Sequence, residues 1–94
     1  MSGLTVGSKT LDPTFDSSVK SYSVDTDDAT NTVSATATDS NDTVEIFLNG
    51  VSQGSGTGTV SKSLTWTENT DTVTVEVTHI SVKETYTITV THEG

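Results

Sequence analysis

Apolar residues recur at every second position along most of the chain. Val33, Ala35 and Ala37 do so, as do Val44, Ile46 and Leu48, then Val73, Val75 and Val77, and finally Tyr86, Ile88 and Val90. The positions between them are nearly all Thr, Ser, Asp or Glu. A period of two is the signature of a strand with one buried face. Leu4 and Val6 make a short first strand that Gly7-Ser8 interrupts, and Tyr22 and Val24 mark another. Between them, Pro13 lacks a ladder donor and belongs at an edge or a turn. Phe15 follows as a plug for one end of the core. Asn49-Gly50 is a strong hairpin signal, and residues 53–58 (QGSGTG) read as a flexible tip. Val60, Leu64 and Trp66 share a phase, with Lys62 between them. No stretch carries a helical period, so about seven short strands predict an antiparallel sandwich or barrel.

Phase alone also suggests how the last two strands pair. For both apolar sets to face one core, paired residue numbers must sum to an odd value. The tightest choice sets Val77 against Tyr86, Val75 against Ile88 and Val73 against Val90, with a turn within residues 80–83. A slip of one residue would turn one apolar set to water.

Composition narrows the class. The chain has 94 residues, which suits a single domain over 1–94, and 30% of them are hydrophobic, so the core is thin. Roughly a third of the residues are Ser or Thr, well above ordinary usage. Thirteen acidic residues against four lysines leave a net charge of −9. That balance argues against nucleic acid, which requires a basic face, and against anionic membranes. There is no Cys, hence no disulfide, thiolate or zinc–sulfur chemistry. No apolar segment reaches the ~18 residues of a membrane span, and residues 1–7 lack the features of a signal peptide. The expectation is one domain excised from a larger protein.

Candidate chemistry is sparse. Two acidic groups flank the strand expected at 32–38: Asp25, Asp27 and Asp28 before it, Asp39 and Asp42 after it. They are weak calcium candidates. A strand of that length spans ~20 Å, so the two groups cannot share an ion. Each offers at most three side chains, where calcium takes about six to eight oxygens. Turn chemistry explains Asp and Asn at both places and is the favoured reading. The register above puts His79 beside the last turn and His92 opposite Asp71, roughly 26 Å apart, so they read as two strand-end histidines. Trp66 is a possible sugar platform by chemistry, but its phase with Leu64 places it in the core. Asn31, Gln53 and Ser55, together with Trp66, are the candidate glycan contacts. Outward Thr72, Thr74 and Thr78 beside Thr85, Thr87, Thr89 and Thr91 reflect β-propensity; Glu76 and sheet twist break any flat lattice. No GxSxG turn is present, and neither His is placed near both a Ser and an Asp, so no enzyme is expected.

The whole chain resembles a known family. LTVGSKTLDPTFDSSVKSYSV near the start, VSATATD, the NG turn, NTDTVTVEVT and the closing YTITVT are similar to the bacterial "cadherin-like" β-sandwich domains. Leu4, Val6, Leu11, Pro13, Phe15, Tyr22 and Val24 fill that family's opening pattern, and Tyr86, Ile88 and Val90 its last strand. Glu68 stands where the family often has Gly, and residues 80–83 lack the usual turn Gly. The resemblance implies an all-β, immunoglobulin-like antiparallel β-sandwich of about seven strands. It further implies a non-catalytic accessory module of a phage tail or capsid protein or of a bacterial surface protein, hence extracellular. The expected roles are display and weak adhesion to a bacterial cell-surface glycan, with neighbouring domains of the parent protein as the other partners. The alternatives are an inert structural spacer and a carbohydrate-binding module attached to a glycoside hydrolase. No cofactor is implied beyond weak calcium at the acidic turns.

Overall fold

A computed structural model describes residues 3–7, 9, 11, 12, 14–16, 18–67 and 69–92. Pro13 and Glu68 lie outside the described residues. Eight strands form: β1 (Gly3–Val6), β2 (Ser21–Thr26), β3 (Thr30–Thr36), β4 (Thr43–Leu48), β5 (Val51–Thr57), β6 (Thr59–Thr65), β7 (Thr70–His79) and β8 (Val82–His92). They make two sheets, ordered β1-β3-β6 and β2-β8-β7-β4-β5. The pairing is antiparallel throughout except for β2 with β8, which run parallel. The chain switches sheets between β1 and β2, so each sheet gains an edge strand.

Alternation decides which face is buried. Along β2 the pattern is exposed–buried three times over, and β7 buries Asp71, Val73, Val75 and Val77. The inner faces meet in one core of small aliphatic side chains closed by Tyr22, Tyr86 and Trp66. Phe15 stacks on Tyr22 with ring centroids 5.9 Å apart, and the Tyr22 hydroxyl donates to the Asp16 carbonyl at 2.6 Å. Each fully buried Val or Ile contributes about 1.5–3 kcal/mol relative to exposure. A domain this thin therefore leans on every one of them.

Two expectations need correction. Of residues 53–58, expected as a flexible tip, 53–57 belong to β5, an edge strand paired with β4, and Gly58 forms the β5–β6 corner. Ile46 pairs with Gly54 and Phe47 with Ser52, so Gln53 is the extra residue of a bulge. Gly54 has a φ of 138°, a conformation that residues with a side chain rarely adopt, and a Cβ there would also meet the flexible end of Lys62, Cε at 2.5 Å. The end of the Lys62 side chain lies over this position, and pairing with β4 makes the Gly-rich segment a strand.

The eight strands agree with the expected sandwich of about seven, with β5 the added one. Finally, the β7–β8 pairing keeps the expected parity but moves two residues: Val75 faces Tyr86, Val73 faces Ile88, and Val90 faces Asp71. His79 pairs with Val82, leaving Ile80-Ser81 as a two-residue turn.

That turn needs a positive φ, and Ile80 supplies it at 55°. Asn49 and Gly50, at φ 51° and 86°, meet the same demand in the β4–β5 hairpin with residues suited to it. A β-branched side chain in this region is strained, and Ile80 is 90% exposed, so no burial compensates. Ile80→Asn is expected to stabilise the domain by about 1 kcal/mol, and Ile80→Val, which keeps the branch, to change little. Thermal unfolding would show the first as a rise of roughly 4 °C or more in Tm.

Candidate functional site

The two sheets have unequal lengths. β7 and β8 hold 10 and 11 residues, whereas β1, β3 and β6 hold 4, 7 and 7. The β7–β8 hairpin thus overhangs the smaller sheet at one pole. Past Val77 its inward positions become His79, Val82 and Glu84, and Val82 is 58% exposed. The β3–β4 turn stands beside this overhang. Together they enclose a cleft of about 660 Å³, lined on the turn side by Thr38, Asp39, Ser40 and Asp42.

Backbone bonds fix the turn. Asp39 Oδ1 accepts from Asn41 N at 2.9 Å, and the Asp39 carbonyl accepts from Asp42 N at 3.0 Å. Gly58, at the β5–β6 corner, clamps it from below. Its N–H donates to the Asp42 carbonyl at 3.0 Å, and its carbonyl accepts from Ala37 N at 2.8 Å. Asp42 is consequently held inward, its side chain only 8% exposed, with Oδ1 against His79 Nδ1. The ligand atoms of Asp39, Asp42 and His79 lie within 4.8 Å of one another, the one such group of three among the described residues. The hydrogen bond to Asp42 raises the His79 pKa above its usual 6.5, helped by the charges of Asp42 and Asp39. His79 is therefore not a free strand-end histidine. Its partner lies 37 residues away in sequence, and alternation along a strand carries no signal of it.

The other acidic group lies at the opposite end of β3. Asp27 and Asp28 both reach Lys9 Nζ at 3.5 Å, so a cation from the chain already stands between them. Asp25 points outward beside Thr91. The structure thus brings Asp39 and Asp42 together with His79 and keeps them apart from Asp25, Asp27 and Asp28.

The glycan candidates divide. Trp66 is 5% and Asn31 8% exposed, so, against expectation, neither offers a surface for a sugar. Asn31 is instead a buried hub. Its Oδ1 accepts from Trp66 Nε1 and from Thr26 Oγ1, each at 2.9 Å, and its Nδ2 donates to Asp28 Oδ2 at 3.3 Å. Gly7 leaves room for it: a Cβ there would sit 2.9 Å from Nδ2. Gln53 and Ser55 remain at the surface, on the β5 edge. A second buried polar cluster, also absent from the sequence reading, surrounds Asp71, which accepts from Asn49 Nδ2 at 2.7 Å and from Thr67 Oγ1 at 3.4 Å.

Two facing sheets, antiparallel except at the β2–β8 edge, with an N-terminal segment shared between them define an immunoglobulin-like β-sandwich. The chain belongs to the cadherin-like β-sandwich domain family, whose family model matches residues 2–93. No curated protein and no solved structure matches it. Domains of this family are typically non-catalytic modules, and among the described residues no helix is long and apolar enough to cross a membrane.

Two tests address this chemistry. Asn31→Ala strands the Trp66 and Thr26 donors and is expected to cost about 2–4 kcal/mol in chemical denaturation, with Trp66→Phe partly rescuing it. For His79, the folded pKa lies above the unfolded value. Its contribution to stability is therefore full below about pH 6.5 and is lost as pH rises through the folded pKa. An NMR titration of the imidazole should show a midpoint above 6.5 that falls back in Asp42→Asn.

Proposed function

We propose that this domain is a display and spacing module of a phage virion protein or a bacterial surface protein. The observation that carries the proposal is where the chain enters and leaves. β1 begins at Gly3 opposite Thr36, at the cleft pole. β8 ends at His92 beside Thr26, at the other pole. The long axis is 40 Å against 24 and 19 Å across it. A neighbour joined ahead of β1 and one joined after β8 would therefore sit at opposite ends, and each domain would add its length to the array. Net charge of −9 keeps neighbouring arrays apart.

Adhesion, where it accompanies spacing, falls to the exposed side of β5 at Gln53 and Ser55. Weak contacts there gain strength from many copies on one particle. A carbohydrate-binding module built on Trp66 loses its support, since the indole is buried and its N–H is bound to Asn31.

Small-angle scattering from two copies joined in tandem tests the spacing role. A maximum dimension near twice the 40 Å axis supports it, and a compact side-by-side particle overturns it. Titrating the same protein with cell-wall glycan fragments reads adhesion separately: amide shifts confined to β5 support the Gln53–Ser55 edge, and their absence leaves a spacer alone.

A further inference from the structure

We propose that Asp39, Asp42 and His79 form a binding site for a divalent transition metal of the zinc class. The donor set distinguishes this from a calcium site. Calcium takes about six to eight oxygens and has no use for imidazole, whereas zinc combines imidazole nitrogen with carboxylate oxygen. Here one nitrogen and two carboxylates converge within 4.8 Å.

The group is also built into a concave place. Asp42 is more than nine-tenths buried and faces the cleft, and its turn is pinned by backbone bonds to Gly58. Two of the three ligands come from that turn and one from the overhanging hairpin, so an ion would tie the β3–β4 turn to the end of β7. Zinc holds tetrahedral ligand atoms roughly 3.3 Å apart, so the three side chains, whose ligand atoms lie within 4.8 Å of one another, need only small rotations to meet one ion. Three protein donors leave a fourth position facing the 660 Å³ cleft, open to water or to a carboxylate or imidazole from another molecule. Glu84 lines the same cleft but does not complete the set, because its carboxylate is bound to Lys20 and to the Tyr86 hydroxyl.

The test uses chelator-treated, tag-free protein and zinc chloride as the only probe, followed by calorimetry and amide-resolved NMR. Expected is a saturable one-to-one event with shifts confined to residues 38–42 and 79–84. His79→Ala, at an exposed strand end, and Asp39→Asn, on the turn surface, should each weaken zinc binding by more than about tenfold, a loss that even outer-shell partners of a metal can cause. Their spectra without metal should stay dispersed as in the parent. Calcium at the same concentration should leave the cleft amides in place. The proposal is overturned if zinc gives no saturable response, if His79→Ala binds as the parent does, if the shifts centre on residues 25–28 and His92, or if calcium matches zinc.

Discussion

The carboxamide of Asn31 holds the lower half of this sandwich together. Its oxygen takes one hydrogen bond from Thr26 in the five-stranded sheet and one from Trp66, which follows the last strand of the three-stranded sheet. A thin aliphatic core excludes water but says little about how two sheets sit on each other, because Val on Val tolerates sliding. A buried amide with fixed donors on both sides does not tolerate it, since any slide leaves polar groups unpaired at about 1–3 kcal/mol each. The absence of a side chain at Gly7 follows from the same requirement, because Asn31 fills the space a Cβ would enter. Asp71 plays the corresponding part in the five-stranded sheet, where Asn49 continues the hydrogen-bonding of β4 through its side chain.

Much of the fold was legible because alternation is a local signal. Val33 and Ala35, Val44 and Ile46, Val73 to Val77, and Tyr86 to Val90 are all buried as their period predicts. Register was not legible, since parity leaves every even shift open. The actual pairing depends on Ile80 accepting a positive φ, a choice its residue type argues against. The departure from the family's turn glycine falls at this point, and the chain meets the same geometry at a cost in strain. Nor was β5 legible, because Gly54 and Gly56 look like a loose loop until Lys62 and Val60 are seen to occupy the space their side chains would fill.

The candidate site was half legible. Asp39 and Asp42 stood out as an acidic turn, and the separation from Asp25, Asp27 and Asp28 followed from strand length. His79 did not join them on paper, because a contact between β7 and the β3–β4 turn depends on how far the hairpin outruns the smaller sheet. Phase places Trp66 in the core correctly, whereas nothing local marks Asn31 as buried, because its side chain is the acceptor of a Trp66 that lies 35 residues away.

The inward positions of the last hairpin nonetheless encode that overhang. Along β7 they read Asp71, Val73, Val75, Val77, His79, and along β8 Val82, Glu84, Tyr86, Ile88, Val90, His92. The apolar run is bounded by polar residues at both ends: Asp71 is buried with its own hydrogen-bond partners, and His79 and Glu84 stand at the cleft. Were the smaller sheet longer, Glu84 and His79 would be buried beneath it, with a charge to compensate and no partner in an aliphatic layer. The hairpin therefore carries its own limit: where the facing sheet stops, its inner face turns polar, and the same residues that end the core line the cleft. In the proposed array, a neighbour joined ahead of β1 would meet that cleft. A change at the cleft would then act on the joint between domains, not on the core that holds each one folded.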